Sequence, residues 1–390
     1  MTGMGAVSAA GVGLDPLRSL IRRGASAVGP AAALGDRAVG VAPTPPPTAG
    51  TRRLDRSARL FVAACEEAWS DAGLGVRGLR RERCGVIEGS SMGPMADLLA
   101  EHRAVVGRGG ATRAGNLVRF MSGMGGATFA QGHELSGPVF ALSAGSASAA
   151  FALAEGWLKL AHGLLDIAVV GGGECPLDAE VVDCFAGAGV LAPADAVPPC
   201  RPFDRERCGT VLGEGAGTLI LERADHARRR GARPRAVVSG IGMSCESHSA
   251  VSPDPSGAGV THAARAALDG VDLRDLGWIK AHGTGTRSND AAECRGLAAL
   301  MGPELVNLWL TSLKPAVGHC LGASAAVEAV AAILALEDGL VPATLGTGTV
   351  DPDLPRCGIA TTVMEDRRPA SLLLSESFGG RCAATVVRRP

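Results

Sequence analysis

The segment Gly322-Ala-Ser-Ala-Ala-Val-Glu-Ala-Val-Ala-Ala-Ile-Leu-Ala-Leu336 constrains the fold more than any other part of the chain. The pattern predicts a helix over 322–336 whose apolar residues run nearly all the way round its axis. Such a helix has no face to give to water and must be covered on every side. It is shorter than the roughly 18 or more apolar residues that a membrane span needs, and no uninterrupted run of that length occurs elsewhere. The cover must therefore be protein. The rest of the chain offers suitable material. Short apolar runs predict strands at Val139–Leu142, Asp166–Val170, Ala236–Ser239, Trp278–Lys280, Leu308–Thr311, Leu372–Leu374 and Ala384–Val387. Between them lie predicted helices over 54–72, 147–163, 259–269 and 290–301. Gly73 stops the first helix, and Gly171-Gly-Gly173 ends the strand at 166–170. The stretch 42–50, with three consecutive prolines, reads as a loop. Strands alternating with helices imply α/β layers with apolar strands covered on both faces.

Composition excludes several kinds of function. The 390 residues allow one large or two medium domains, and 46% hydrophobic residues are ample for a buried core. A net charge of −1 gives no overall attraction to nucleic acid or to an acidic membrane. The 11 cysteines are odd in number and lack short paired spacings. With no secretory signal, they read as free thiols, and the expected location is the cytoplasm. There is no C-x-x-C and no H-E-x-x-H, so no metal is assigned. The glycine-rich stretches Gly213–Gly217 and Gly171–Gly173 lack the Lys-Ser/Thr ending of a phosphate loop. Arg228–Arg230 read as a solvated face.

Three separated segments carry the chemistry. The first is Phe140-Ala-Leu-Ser-Ala-Gly145-Ser146-Ala-Ser-Ala-Ala150, a predicted strand-to-helix turn with Ser146 at the bend. The second is Lys280-Ala-His282-Gly-Thr284-Gly-Thr286-Arg-Ser-Asn289-Asp290. The third is Lys314-Pro-Ala-Val-Gly318-His319-Cys-Leu-Gly322. A side chain at a helix N-terminus meets unsatisfied N–H groups and a partial positive charge, which favour an anion there. Taken alone, Ser146 is a small residue at a tight turn, and Asn289-Asp290 reads as an N-cap for the helix that follows.

Taken together, the three segments resemble the nucleophile turn and the two histidine loops of the β-ketoacyl-acyl carrier protein synthases. Val7–Gly11 and Cys200–Gly217 resemble further signature stretches, so the resemblance covers nearly the whole chain. It implies a thiolase-like fold, with duplicated βαβ halves in a five-layer α-β-α-β-α arrangement. The halves are expected at 1–235, carrying the nucleophile, and 236–390, carrying both histidine loops. It also implies that His282 and His319 polarise a malonyl-type thioester and stabilise its enolate, with Lys314 and Glu328 holding the network. Thr284 and Thr286 would meet the pantetheine arm of the substrate. The implied substrates ride on phosphopantetheine, and no other cofactor is expected. The implied partners are an acyl carrier protein and a second copy or a related synthase, in a dimer paired through Val139–Leu142. His102, His133, His162, His226 and His262 read as structural, and His248 receives no role.

The chain departs from the family at two places. The nucleophilic cysteine position holds Ser146. Near the C-terminus the family pattern Asn-Ser-Phe-Gly-Phe-Gly-Gly-X-Asn becomes Glu376-Ser-Phe378-Gly379-Gly380-Arg381-Cys382, two residues shorter. In the family that loop supplies a gating phenylalanine and an oxyanion N–H, roles that would fall here to Phe378 and Gly379. An introduced Cys→Ser exchange would leave this loop intact, so the shortening favours a natural serine. A serine needs a general base to attack a thioester, and its ester is less electrophilic than a thioester. The expected function is an acyltransferase of the ketosynthase type, acting on acyl carrier protein or coenzyme A thioesters. The acyl chain would be held as an ester on Ser146, with residual decarboxylative condensation. The alternatives are a malonyl-carrier decarboxylase, and a non-catalytic partner of the chain-length-factor kind.

Overall fold

The computed structural model describes residues 1–390 except 49, 76–78 and 113, so one residue of the proline loop at 42–50 lies outside the described residues. Two six-stranded mixed sheets organise the chain. The first contains β1 (Gly3–Ser8), β2 (Gly11–Val12), β3 (Cys84–Gly89), β4 (Val139–Leu142), β5 (Ile167–Glu174) and β6 (Gly215–Glu222), in the order β2-β1-β6-β5-β3-β4. The second contains β7 (Val237–Cys245), β8 (Leu276–Lys280), β9 (Trp309–Thr311), β10 (Gly358–Ile359), β11 (Ala370–Ser377) and β12 (Arg381–Arg388), in the order β10-β9-β8-β11-β12-β7.

The two sheets repeat one plan. In the first, β4, β3 and β5 run parallel and are followed by antiparallel β6 and β1. In the second, β9, β8 and β11 run parallel and are followed by antiparallel β12 and β7. The sheet order 4-3-5-6-1 thus recurs as 9-8-11-12-7, each with one extra edge strand. This is the thiolase-like duplication. One consequence fixes the site. The turn after β4 and the turn after β9 occupy equivalent positions, and these carry Ser146 and His319.

Helices form the other three layers. α1 (Arg56–Asp71), started by Asp55 whose carboxylate accepts the Ala58 N–H at 3.1 Å, covers the outer face of the first sheet. α2 (Ser148–Ala161) and α5 (Ser324–Asp338) lie between the sheets. α3 (Ala258–Ala267) and α4 (Arg287–Met301) lie on the far side, α3 directly against β7 and β12. Every residue of α5 from Ser324 to Leu336 is buried, as its all-round apolar sequence requires. Glycines let α5 settle onto the first sheet. A Cβ on Gly217 of β6 would come within 2.5 Å of the Ala326 backbone.

The strand predicted at 166–170 does not stop at the glycines. β5 continues through Gly171, Gly172 and Gly173 to Glu174. These glycines are there for close approach rather than for a turn: a Cβ on Gly172 would lie 2.0 Å from the Gly89 carbonyl oxygen, and one on Gly173 2.5 Å from that of Ser57. The other predicted strands and helices stand where expected, but most of the strands of the second half run longer. β7 reaches Cys245, and β11 and β12 extend to the hairpin that joins them. Five strands of the two sheets, β1, β2, β3, β6 and β10, have no counterpart among the predicted ones.

Candidate active site

Ser146 sits at the bend between β4 and α2. Gly145 takes φ +58°, a conformation that favours glycine, and a Cβ there would lie 3.0 Å from Ser377 Cβ. The turn is stitched by Ser148, whose hydroxyl donates to the Gly145 carbonyl at 2.6 Å and accepts the Ala144 N–H at 2.9 Å. Ser146 Oγ is thereby held 3.0 Å from His319 Nε2. The other imidazole nitrogen, Nδ1, lies 2.7 Å from Ser324 Oγ, at the start of α5. Among the described residues no carboxylate hydrogen-bonds this histidine, so the relay reads Ser146–His319–Ser324.

His282 follows β8 and meets His319 edge to face, with ring centroids 5.4 Å apart. Its backbone is clamped from α4, where Glu293 accepts the N–H groups of His282 and Gly283 at 2.5 and 2.9 Å. Lys314 Nζ lies 3.3 Å from His282 Nδ1 and also donates to the His282 carbonyl. An ammonium can only donate, so Nδ1 is the acceptor and the imidazole proton resides on Nε2. His282 thus enters the site as an N–H donor.

Glu328 of α5 bridges two lysines. Its Oε1 is 2.9 Å from Lys314 Nζ, and its Oε2 is 2.6 Å from Lys280 Nζ. All three side chains are buried, and Lys280 also donates to the Leu374 carbonyl. Burial works to raise the Glu328 carboxyl, but the two ammonium groups hold it below its ordinary value. Burial also lowers Lys280. Lys280 stands in the second motif without an assigned role, and Ser324 and Glu293 lie outside the three motifs. The sequence signal for Ser324 is its place in an apolar helix, where a polar residue needs a partner; Glu293 stands among other polar residues of α4, and nothing in the sequence singles it out.

Burial is also the largest influence on both histidines. It lowers His319 to about 3, with Lys314 adding to the effect, and it pushes His282 well below its ordinary value, with Lys314 and His319 adding. Both rings are therefore neutral near neutral pH. Neutral imidazoles can give and take hydrogen bonds around an oxyanion. With both held this low, either ring carries an extra proton only transiently.

Ser146, His282 and His319 line a chamber of about 90 Å³ together with Thr284, Thr286, Phe378 and Gly379. Thr284 and Thr286 bond to each other at 2.9 Å. The helix cap expected at Asn289-Asp290 belongs instead to Thr286, whose hydroxyl accepts the Asn289 N–H at 3.4 Å. Asp290 lies one turn inside and accepts the N–H groups of Phe203 and Gly285 at 2.8 and 3.1 Å. Phe378 is 45% exposed at the chamber wall. The Gly379 N–H donates to the Ala250 carbonyl at 2.8 Å, so it is not free for an oxyanion. With the loop two residues short, this N–H turns into the neighbouring loop. His248 does not line the chamber. His133 and His226 pair with Glu66 and Glu222 at 2.9 and 2.5 Å.

A duplicated thiolase-like fold, with a hydroxyl and two histidines meeting at strand ends of the two halves, is the architecture of the ketosynthase class. The chain belongs to the β-ketoacyl synthase family. The model of the β-ketoacyl synthase N-terminal domain matches residues 1–227, and that of the C-terminal domain matches residues 235–347. Nodulation protein E of Rhizobium sp. (strain N33) is 32% identical, over 97% of this chain and 95% of that protein. Among solved structures, the ishigamide ketosynthase/chain length factor superposes with a TM-score of 0.91 at 27% identity, covering 100% of this chain and 98% of that one. A type II PKS acyl-carrier protein in complex with its ketosynthase bound to the hexaketide contains a chain that matches with a TM-score of 0.91 at 25% identity, over 100% and 98%. Among the described residues, no helix is long and apolar enough to cross a membrane.

Proposed function

We propose that this chain is a ketosynthase-type acyltransferase that takes acyl groups from carrier-bound thioesters onto Ser146. The observation that carries this reading is the 3.0 Å contact between Ser146 Oγ and a histidine held neutral. In the acylation step His319 Nε2 accepts the hydroxyl proton as Oγ attacks the thioester carbonyl, and Nδ1–H donates to Ser324. The C–S bond then breaks, and the departing pantetheine sulfur takes the proton from Nε2. The donors assigned to the developing oxyanion are His282 Nε2–H and the Ser146 N–H, which no backbone carbonyl engages among the described residues. Thr284 and Thr286 line the approach of the pantetheine arm.

With a malonyl-type carrier in the same chamber, the two neutral histidines would polarise its thioester carbonyl and stabilise the enolate left by loss of carbon dioxide. The enolate would then attack the Ser146 ester and release the serine alkoxide. An alkoxide leaves less readily than a thiolate, so this second step should be slow relative to acylation and decarboxylation.

The matched structures of a ketosynthase/chain length factor and of a ketosynthase with an acyl-carrier protein support an acyl carrier protein and a synthase-like subunit as partners. So does strand β4, an edge strand whose residues Val139–Leu142 are all only partly buried. An apolar edge left unpaired invites association. A silent partner has no need of the complete Ser146, His319, His282, Lys314 and Glu328 network, and its completeness favours catalysis. The test supplies the purified chain with a malonyl carrier, with and without an acyl carrier, and follows carbon dioxide and β-ketoacyl product. Carbon dioxide in both cases with little condensed product is expected. No turnover of either carrier would contradict the catalytic reading.

A further inference from the structure

The chamber wall carries three groups that this chemistry does not use: Glu246, Glu376 and Cys382. Glu376 and Cys382 face each other across the β11–β12 hairpin, and Glu246 follows β7 directly, its N–H donating to the Gly380 carbonyl at 2.9 Å. A carboxylate oxygen from each glutamate and the Cys382 Sγ lie within 4.8 Å of one another. α3 closes over them. A Cβ on Gly259 would lie 2.5 Å from Glu246 Cγ and 2.6 Å from Cys382 Sγ.

The Cys382 thiol has the Gly380 carbonyl at 3.7 Å, but the carboxylates here are only partly satisfied. Glu246 Oε2 accepts the Asp254 N–H at 2.7 Å, but its Oε1 is buried with no hydrogen-bond partner among the described residues. Glu376 is 5% exposed, and its Oε1 is likewise buried and unpartnered. Its influential charged neighbours are chiefly other carboxylates. Burial, followed by Glu293, Glu246 and Asp290, pushes Glu376 well above the usual carboxylate range. Leaving such groups without a cation or a shared proton is costly. The departures from the family pattern coincide here, because both of its asparagine positions hold potential ligands, Glu376 and Cys382. Either exchange alone would strand one buried group, whereas the pair forms a donor set.

We propose that Glu246, Glu376 and Cys382 form a divalent transition-metal site on the chamber wall. One thiolate and two carboxylate oxygens suit Zn²⁺, which bonds sulfur at about 2.3 Å and oxygen at about 2.0–2.2 Å. Around a tetrahedral ion, donors at these bond lengths stand about 3.4–3.6 Å apart, so a spread of up to 4.8 Å closes by rotation of the three side chains toward the ion. Binding exchanges the ion for the protons on the thiol and the carboxyl, which leave through the chamber. The remaining coordination position faces the chamber, where a thioester carbonyl or a water could take it. Nothing in the sequence announces this site, because its ligands sit 130 and 6 residues apart.

The test is titration of the tag-free, full-length protein with Co²⁺, followed by displacement with Zn²⁺. One equivalent of Co²⁺ with a thiolate-to-cobalt charge-transfer band is expected, with the band absent in Cys382→Ser. Glu376→Gln should weaken binding by at least the roughly 10–100-fold that outer-shell partners typically contribute. Substoichiometric binding overturns the proposal, as does a band that persists in Cys382→Ser. Thermal melting and Ser146 acylation are followed on the same preparations. Should Cys382→Ser fail to fold, Glu376→Gln carries the test, and an unchanged Kd for Zn²⁺ overturns the site.

Discussion

Replacing Glu328 with glutamine tests whether the buried charges beneath the histidines are held as the geometry implies. In the native protein one carboxylate serves two ammonium groups, at 2.9 and 2.6 Å, and all three side chains are at most 2% exposed. Glutamine keeps the shape and removes the charge, so Lys280 and Lys314 face each other uncompensated. Breaking a buried pair typically costs about 3–5 kcal/mol. A lysine can escape by losing its proton, and neutralising one at pH 7 from an ordinary value of about 10.4 costs about 5 kcal/mol. The two estimates agree, so Glu328→Gln should lose about 4–5 kcal/mol at pH 7. The pH dependence gives a sharper signature. A lysine whose folded pKa lies below its unfolded value binds fewer protons folded than unfolded, so stability rises with pH in that interval. The deficit should shrink by about 1.4 kcal/mol per pH unit for one neutralised lysine, or about 3 kcal/mol between pH 7 and 9. Urea unfolding of wild type and Glu328→Gln at both pH values measures this. Adding Lys280→Met to Glu328→Gln should recover part of the loss. A deficit below about 1 kcal/mol that is the same at pH 7 and 9 would refute the buried-charge reasoning.

Two further predictions concern the chemistry. His319, lowered to about 3 chiefly by burial, stays neutral throughout the range in which a free histidine titrates, so the Ser146 acylation rate should be flat from about pH 5 to 7, where an ordinary histidine base would show a break near 6.5; stopped-time mass spectrometry over that range would expose such a break. Ser146→Cys restores a thioester intermediate at a helix N-terminus and should raise condensed product at least about tenfold, a more electrophilic acyl group being worth that much or more; product analysis by mass spectrometry that finds no gain would place the obstacle in the shortened loop at Phe378–Gly379.

How much of this could be read from the sequence depends on where the information is local. The β4–Ser146–α2 turn and the 322–336 helix were legible because a short apolar run, a glycine and an all-round apolar helix each carry a local physical signature. The meeting of Ser146, His282 and His319 was accessible only through resemblance, since no spacing links residues 146, 282 and 319. The glycines of β5 misled because glycine marks close approach as well as turns, and only the neighbouring Gly89 and Ser57 backbones distinguish the two. The Asn289-Asp290 cap failed because Thr286, also a good capping residue, stands nearer the turn and wins the helix N-terminus. The fate of the Gly379 N–H was not legible, because its acceptor, Ala250, lies in a loop far away in sequence. The same holds for the Glu246, Glu376 and Cys382 cluster, which exists only once β7 and the β11–β12 hairpin have paired.

The central claim is that Ser146 Oγ, 3.0 Å from His319 Nε2, accepts an acyl group from a carrier thioester. Intact-protein mass spectrometry after incubation with a panel of acyl carriers measures it. Wild type should gain the mass of one acyl group as an ester mapped to the Ser146 peptide, and Ser146→Ala should gain none. Equal mass gain in both proteins, or none in wild type with any carrier of the panel, would contradict the account.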